Sequence, residues 1–193
     1  MTQPQLVDPH DPVMTGENSF VRLSNDNGNT IPERVSHWRV LWSPAGHGHA
    51  LFIESSLKKN LVYSDNAGVA RYLQRTIEAL LHKPFADESL PIVDAKFERT
   101  GSSLSAVEER IVSAKDEIIL TWWDFMAPFV LTMPPGAMNR PLGVYSTFIP
   151  ARGAQLSVNG EAAPGKVFPQ ERGGRPSSSC VLAWSETWVK PKG

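Results

Sequence analysis

From residue 92 to residue 189 the chain alternates: apolar side chains fall at every second position in short runs, and turn-forming residues separate the runs. A period of two sends successive side chains to opposite faces of an extended chain, so each run reads as a strand with one buried face. Residues 95–100 lead into the turn Gly101-Ser102-Ser103, 104–114 run back, Lys115-Asp116 makes the next corner, and 117–126 return. Pro128 removes a ladder donor, which makes 129–133 a bent continuation or an edge. Strands follow at 143–149 and 154–158, where Asn159-Gly160 is a two-residue hairpin signal, and 179–189 form a long closing strand. Upstream, 35–42, 50–54 and 61–64 read the same way. One segment breaks the rule. Val69, Leu73, Ile77 and Leu80 fall at helical spacing, with Asp65 as the N-cap and Pro84 ending the run.

About ten strands with hairpin-length connections and one main helix predict a mainly β fold, an antiparallel barrel that resembles the calycins. The alternative is an α+β curved sheet cupping the helix. The position of the helix separates the two, because only the cone uses it as a wall. Residues 1–34 are rich in Pro, Asp, Asn and Gly and read as an arm, irregular or laid on the surface, ahead of a single domain at 35–193.

Charge narrows the partners. With 19 basic and 20 acidic residues the chain lacks the basic surface of a duplex nucleic-acid binder and has no Lys/Arg run for an anionic membrane. Cys180 is the single cysteine, so intrachain disulfides and cysteine zinc clusters are excluded. No charged-then-apolar leader is visible at the N-terminus, and a cytoplasmic protein is the simplest expectation. A helix packed outside a barrel would also offer a face for a homodimer.

Three carboxylates share strand faces with apolar residues. Glu186 falls in register with Leu182, Trp184 and Trp188; Asp124 with Leu120, Trp122 and Met126; Glu109 with Val107 and Ile111. A carboxyl among tryptophans loses hydration, its charged form is disfavoured, and it becomes a proton donor near neutral pH. Arg39, Arg110 and Tyr145 are the available structural partners. Trp38, Trp42, Trp122, Trp184 and Trp188, with Phe52, Met126 and Tyr145, are the expected pocket wall, and His37 or His49 the expected proton relay.

His47-Gly48-His49 followed by Glu54 resembles the first metal-binding motif of the cupins, in which two imidazoles and a carboxylate hold a divalent metal. The segment 134–139 is similar to part of the second motif, with Asn139 where that motif has histidine and Gly143 where it has asparagine. The resemblance implies a metal site at His47, His49 and Glu54.

The leading expectation is a cofactor-independent lyase or isomerase acting on a small apolar molecule, such as a terpenoid, an epoxide or a polyketide-like ring. Glu186, Asp124, Glu109 and His49 are its candidate acid–base residues. A non-catalytic, lipocalin-like carrier or sensor of an apolar ligand is the alternative, and a cupin-like metal-dependent enzyme the third.

Overall fold

The computed structural model describes residues 10–192. Thirteen strands are formed. They are β1 (His10–Leu23), β2 (Glu33–Trp42), β3 (Gly48–Glu54), β4 (Leu61–Ser64), β5 (Ile92–Ser102), β6 (Ala106–Ser113), β7 (Glu117–Phe125) and β8 (Phe129–Met133). The rest are β9 (Gly143–Val158), β10 (Glu161–Ala162), β11 (Pro169–Arg172), β12 (Arg175–Ser178) and β13 (Val181–Pro191). Nine strands close into a barrel in the order β9-β13-β1-β2-β3-β4-β5-β6-β7, with β7 pairing back onto β9. Closure leaves no free sheet edge in the ring. β8 and β10 add to β9, and β11-β12 is a separate hairpin.

Every pair in the ring is antiparallel except β4–β5, which is parallel. The helical segment explains the exception, because a parallel neighbour needs a crossover connection rather than a hairpin. That segment is α-helical over Ala67–Leu73, widens to a π turn over Gln74–Glu78 and closes over Ala79–Leu81. Its cap is Asn66, whose side chain accepts from the amides of Gly68 and Val69. Asp65, expected in that role, instead accepts from the backbone and ring of His49.

The helix lies on the outer wall of the barrel. Val69, Ala70, Leu73 and Ile77 pack with Trp38, Phe52, Val62 and Trp188. The interior is a second core built from Val21, Val35, Leu51, Tyr63, Ile111, Leu120, Trp122 and Leu182. The wall beneath the helix is therefore buried on both faces. The barrel, not the cone, is the fold.

The predicted hairpin at Asn159-Gly160 forms, with φ of 53° and 83° joining Val158 to Glu161. Positive φ at both turn positions matches the twist of the flanking strands. The N-terminal arm is corrected. Residues 10–23 form β1, which pairs with both β13 and β2, so polar residues such as Glu17, Asn18 and Ser19 belong to the barrel wall. Their turn-like composition hid a strand that carries polar residues on both faces. The start of the expected arm, residues 1–9, lies outside the described residues. No described helix is long and apolar enough to cross a membrane.

Candidate functional site

Position along the barrel axis separates two kinds of interior. At the end where β4 begins, the Tyr63 hydroxyl and the Lys58 ammonium donate to Asp116 at 2.8 and 2.6 Å, below the apolar core. At the other end, where β2 leaves and β3 enters, the inward positions are polar. Glu17 and Ser19 of β1, His37 and Arg39 of β2, His49 of β3, Arg99 of β5, Glu109 of β6 and Trp184 of β13 form this layer. Each continues the inward parity of a core residue, such as Val21, Val35, Leu51 or Leu182.

Arg99 organises the layer. Its guanidinium donates to Glu109 through Nε and to Glu17 through Nη2, the latter at 2.6 Å, and its Cζ lies 5.3 Å from the Trp184 ring centroid. His37 Nδ1 stands 4.0 Å from Glu109 Oε1, and both residues are 1% exposed. The Phe97 ring stacks on His49 at 5.1 Å and tilts against His37 at 5.8 Å. Burial holds the His37 imidazole well below its usual value, with Arg99 adding to the shift. Burial raises the Glu109 carboxyl, opposed by its Arg99 ion pair.

Five buried polar atoms here make no hydrogen bond to any described residue: Ser19 Oγ, His37 Nε2, Arg39 Nε, Glu109 Oε2 and Trp184 Nε1. An unpaired buried polar group costs about 1–3 kcal/mol, so unused hydrogen-bonding capacity is concentrated in this layer. These donors and the acceptor share the layer with the rings of Trp184 and Phe97. Chemically, Glu109 Oε2 can exchange a proton, and His37 Nε2 and Arg39 Nε can donate to an oxygen.

Of the four candidate acid–base residues, the fold brings Glu109 and His49 into this layer and removes Asp124 and Glu186. A left-handed residue accounts for the first removal and a bulge for the second. Asp124 and Ser185 have φ of 52° and 53°, and the β13–β9 register shifts between Trp184 and Thr187. An extra residue in one strand reverses the parity of all that follow. Asp124, at its left-handed φ, is 58% exposed and meets Arg152 Nη1 at 3.1 Å. Glu186 and Trp188 turn to the outer wall, where Trp188 Nε1 donates to Glu186 Oε1 at 2.6 Å.

The expected pocket wall divides in the same way. Trp184 and Trp122 face inward, and Trp122 Nε1 donates to the Phe20 carbonyl at 3.2 Å. Trp38 faces outward beneath the helix, donating to Glu78 Oε1 at 2.6 Å, and Phe52 packs there against Phe85. The Trp38 row was expected to be the inward face, and the structure reverses it. Where a helix covers the wall, the bulkier row packs against the helix, while His37 and Arg39 point inside. Trp42 is 48% exposed, Met126 is half-buried in a surface hollow with Asp124 and Pro128, and the Tyr145 hydroxyl meets His10.

The cupin-like metal set does not assemble. His49 and Glu54 have opposite parity on β3 and so face opposite sides of the wall. Glu54 accepts from His82 at 2.8 Å, and His47 is exposed. Among the described residues no group of three or more His, Cys, Asp or Glu side chains is placed to hold a metal ion.

Sequence reading missed Glu17, Ser19 and Arg99. Arg99 carried a signal, since it alternates in phase with Ala95 and Phe97. Glu17 and Ser19 lay in the segment read as an arm. No family model, curated protein or solved structure matches this chain.

Proposed function

We propose that the polar end of the barrel is the site of a cofactor-independent isomerase or lyase acting on a small, uncharged, largely apolar molecule. One observation carries the reading: Glu109 and His37 face each other in a nearly dry layer, each with one polar atom free of any described partner.

The charges of the layer support an uncharged substrate. Arg39 and Arg99 balance Glu17 and Glu109, and burial keeps His37 neutral. A net charge on the ligand would stand uncompensated in a low-dielectric space. Trp184 and Phe97 supply flat apolar walls of the kind that ring-shaped molecules fill.

The chemistry follows from the free atoms. Glu109 Oε1 is held by Arg99, which leaves Oε2 as the base. It removes a proton from a carbon next to a carbonyl, and the electron pair moves onto the carbonyl oxygen. Hydrogen bonds from His37 Nε2–H and Arg39 Nε–H stabilise that oxygen. Glu109, now the acid, returns the proton to a second carbon, and the double bond has moved. Expulsion of a leaving group from the same enolate gives the lyase outcome. Burial raises the basicity of Glu109 towards that of its target, as proton transfer requires.

Deuterium uptake from heavy water into a panel of cyclic enones, followed by mass spectrometry, tests this. Wild-type protein should incorporate label, and Glu109→Gln should lose about 100-fold or more of the rate. His37→Gln should lose less. Exchange at the wild-type rate in a folded Glu109→Gln variant would remove the carboxyl from the chemistry.

A further inference from the structure

The outer wall carries a second pocket that the barrel-end reading leaves unused. It opens between β1, β13 and the end of the helix on one side and β8 and β11 on the other, with a cavity volume of about 70 Å³ that continues into open solvent. Phe148, Leu131, Met133 and Val144 form apolar sides, and Glu186 and Trp188 form its floor. Arg22, Arg140 and Arg172 also line it.

The arginines are arranged around an aromatic ring. Arg22 Cζ lies 4.8 Å and Arg172 Cζ 5.3 Å from the Phe20 centroid, and Arg172 is 5.9 Å from Phe148. None of Arg22, Arg140 and Arg172 forms an ion pair with a described residue, and Arg172 Nε is buried without a hydrogen bond. Arg34, on the adjoining hollow lined by Arg22, Glu78 and His82, is likewise without an ion pair and has a buried, unbonded Nε. Burial and the neighbouring arginines push Arg22 down to about 9. A guanidinium keeps its proton in proteins, so that strain registers a local shortage of negative charge.

The nearest carboxyls do not remedy the shortage. Glu186 is 4% exposed, and burial pushes it up to about 8, with Glu78 adding to the rise against the Trp188 hydrogen bond. Glu78 is raised by burial as well, and its Oε1 is taken by Ser36 and Trp38. At neutral pH Glu186 is therefore mainly the acid and offers a donor, not a counter-charge.

We infer that this outer-wall pocket binds a small amphiphile through its anionic head group, a carboxylate or a phosphate, held by Arg22, Arg172 and Arg140 with the apolar body against Phe148, Leu131 and Met133. A planar guanidinium gives two parallel donors to either head group. The Glu186 hydroxyl reaches the same space from the floor. The inference is independent of the barrel-end site, since no residue is shared.

The test is titration of the full chain with octanoate, octyl phosphate and octanol, following the Trp188 indole N–H by NMR. Saturable shifts with either anion, at least tenfold tighter than with octanol, are expected, and the better anion names the head group. Arg172→Gln should weaken that anion at least tenfold and leave octanol unchanged. Should Arg172→Gln unfold, Arg140→Gln at the rim is expected to show the same selective loss in smaller measure. Octanol binding as tightly as both anions, or no saturable shift with any of the three, overturns the inference.

Discussion

The barrel end and the outer-wall pocket are built from the same residue types, buried carboxyls beside indoles and guanidiniums, yet they differ in how charge is matched. Inside the barrel Arg99 is shared between Glu17 and Glu109, and the layer is neutral as a whole. Outside, Glu186 and Glu78 accept from Trp188 and Trp38, while Arg22, Arg34, Arg140 and Arg172 have no carboxylate partner among the described residues. Burial raises both Glu109 and Glu186; the Arg99 guanidinium opposes that rise at the first and the Trp188 indole at the second. The same residue types thus give a charge-matched layer inside the barrel and, outside it, arginines without an ion pair among the described residues, which is the basis of the two proposals.

The contrast breaks most sharply at Arg99. Arg99→Met leaves Glu109 buried without its cation, and removal of one partner of such a pair costs about 3–5 kcal/mol. Urea denaturation should show that loss at neutral pH, and much less of it at low pH, where Glu109 takes up a proton. An equal loss at both would mean that Arg99 acts by packing over Trp184 rather than by charge.

Glu186 gives the next largest effect, and its sign is opposite to that of a paired carboxylate. It titrates near 4.5 when unfolded and about 8 when folded, so its contribution is complete below pH 4.5 and is lost as pH rises towards 8. The slope reaches about 1.4 kcal/mol per pH unit. Glu186→Gln should remove that slope and be more stable than the parent by roughly 3 kcal/mol at neutral pH. Anion binding in the outer pocket should likewise weaken as pH rises through 8 in the parent and hold constant in the variant. The charged or titratable groups facing Glu186 are Glu78 from the helix, Arg22 from β1, and Arg140 and Arg172 from the far side. The remaining arginine charges do not change in that range. A parental stability curve flat between pH 5 and 8 would show that Glu186 is ionised.

A smaller loss is expected from Trp38→Phe, which keeps the ring against the helix and deletes the donor to Glu78. About 1–3 kcal/mol should be lost in thermal melts. Asp124→Asn comes last. Its ion pair with Arg152 is exposed, so the change should stay within ~0.5 kcal/mol and leave enone exchange untouched. A larger effect would return Asp124 to the site.

The errors of sequence reading trace to two kinds of event. Alternation located β2 to β9, β13 and the helix, because burial of one strand face repeats every second residue, and it missed the polar β1 and the short strands β10, β11 and β12. It then assigned the tryptophan-rich face inward at β2, where the covering helix supplied a second interior. It also carried parity through Asp124 and Ser185, two non-glycine residues in the left-handed region, the second of them at a bulge. Neither residue announces a left-handed backbone by type.

The sequence by itself determined the strand periodicity, the single helix, the hairpin at Asn159-Gly160 and the presence of carboxyls in apolar rows, since each is encoded within a few neighbouring residues. Which face became the inside was decided only by closure of β7 onto β9 and by the helix covering the outer wall. So were the meeting of Glu17, His37, Arg99 and Glu109 and the gathering of Arg22, Arg140 and Arg172. Those contacts join strands far apart in the chain, and no local pattern records the pairing of distant partners.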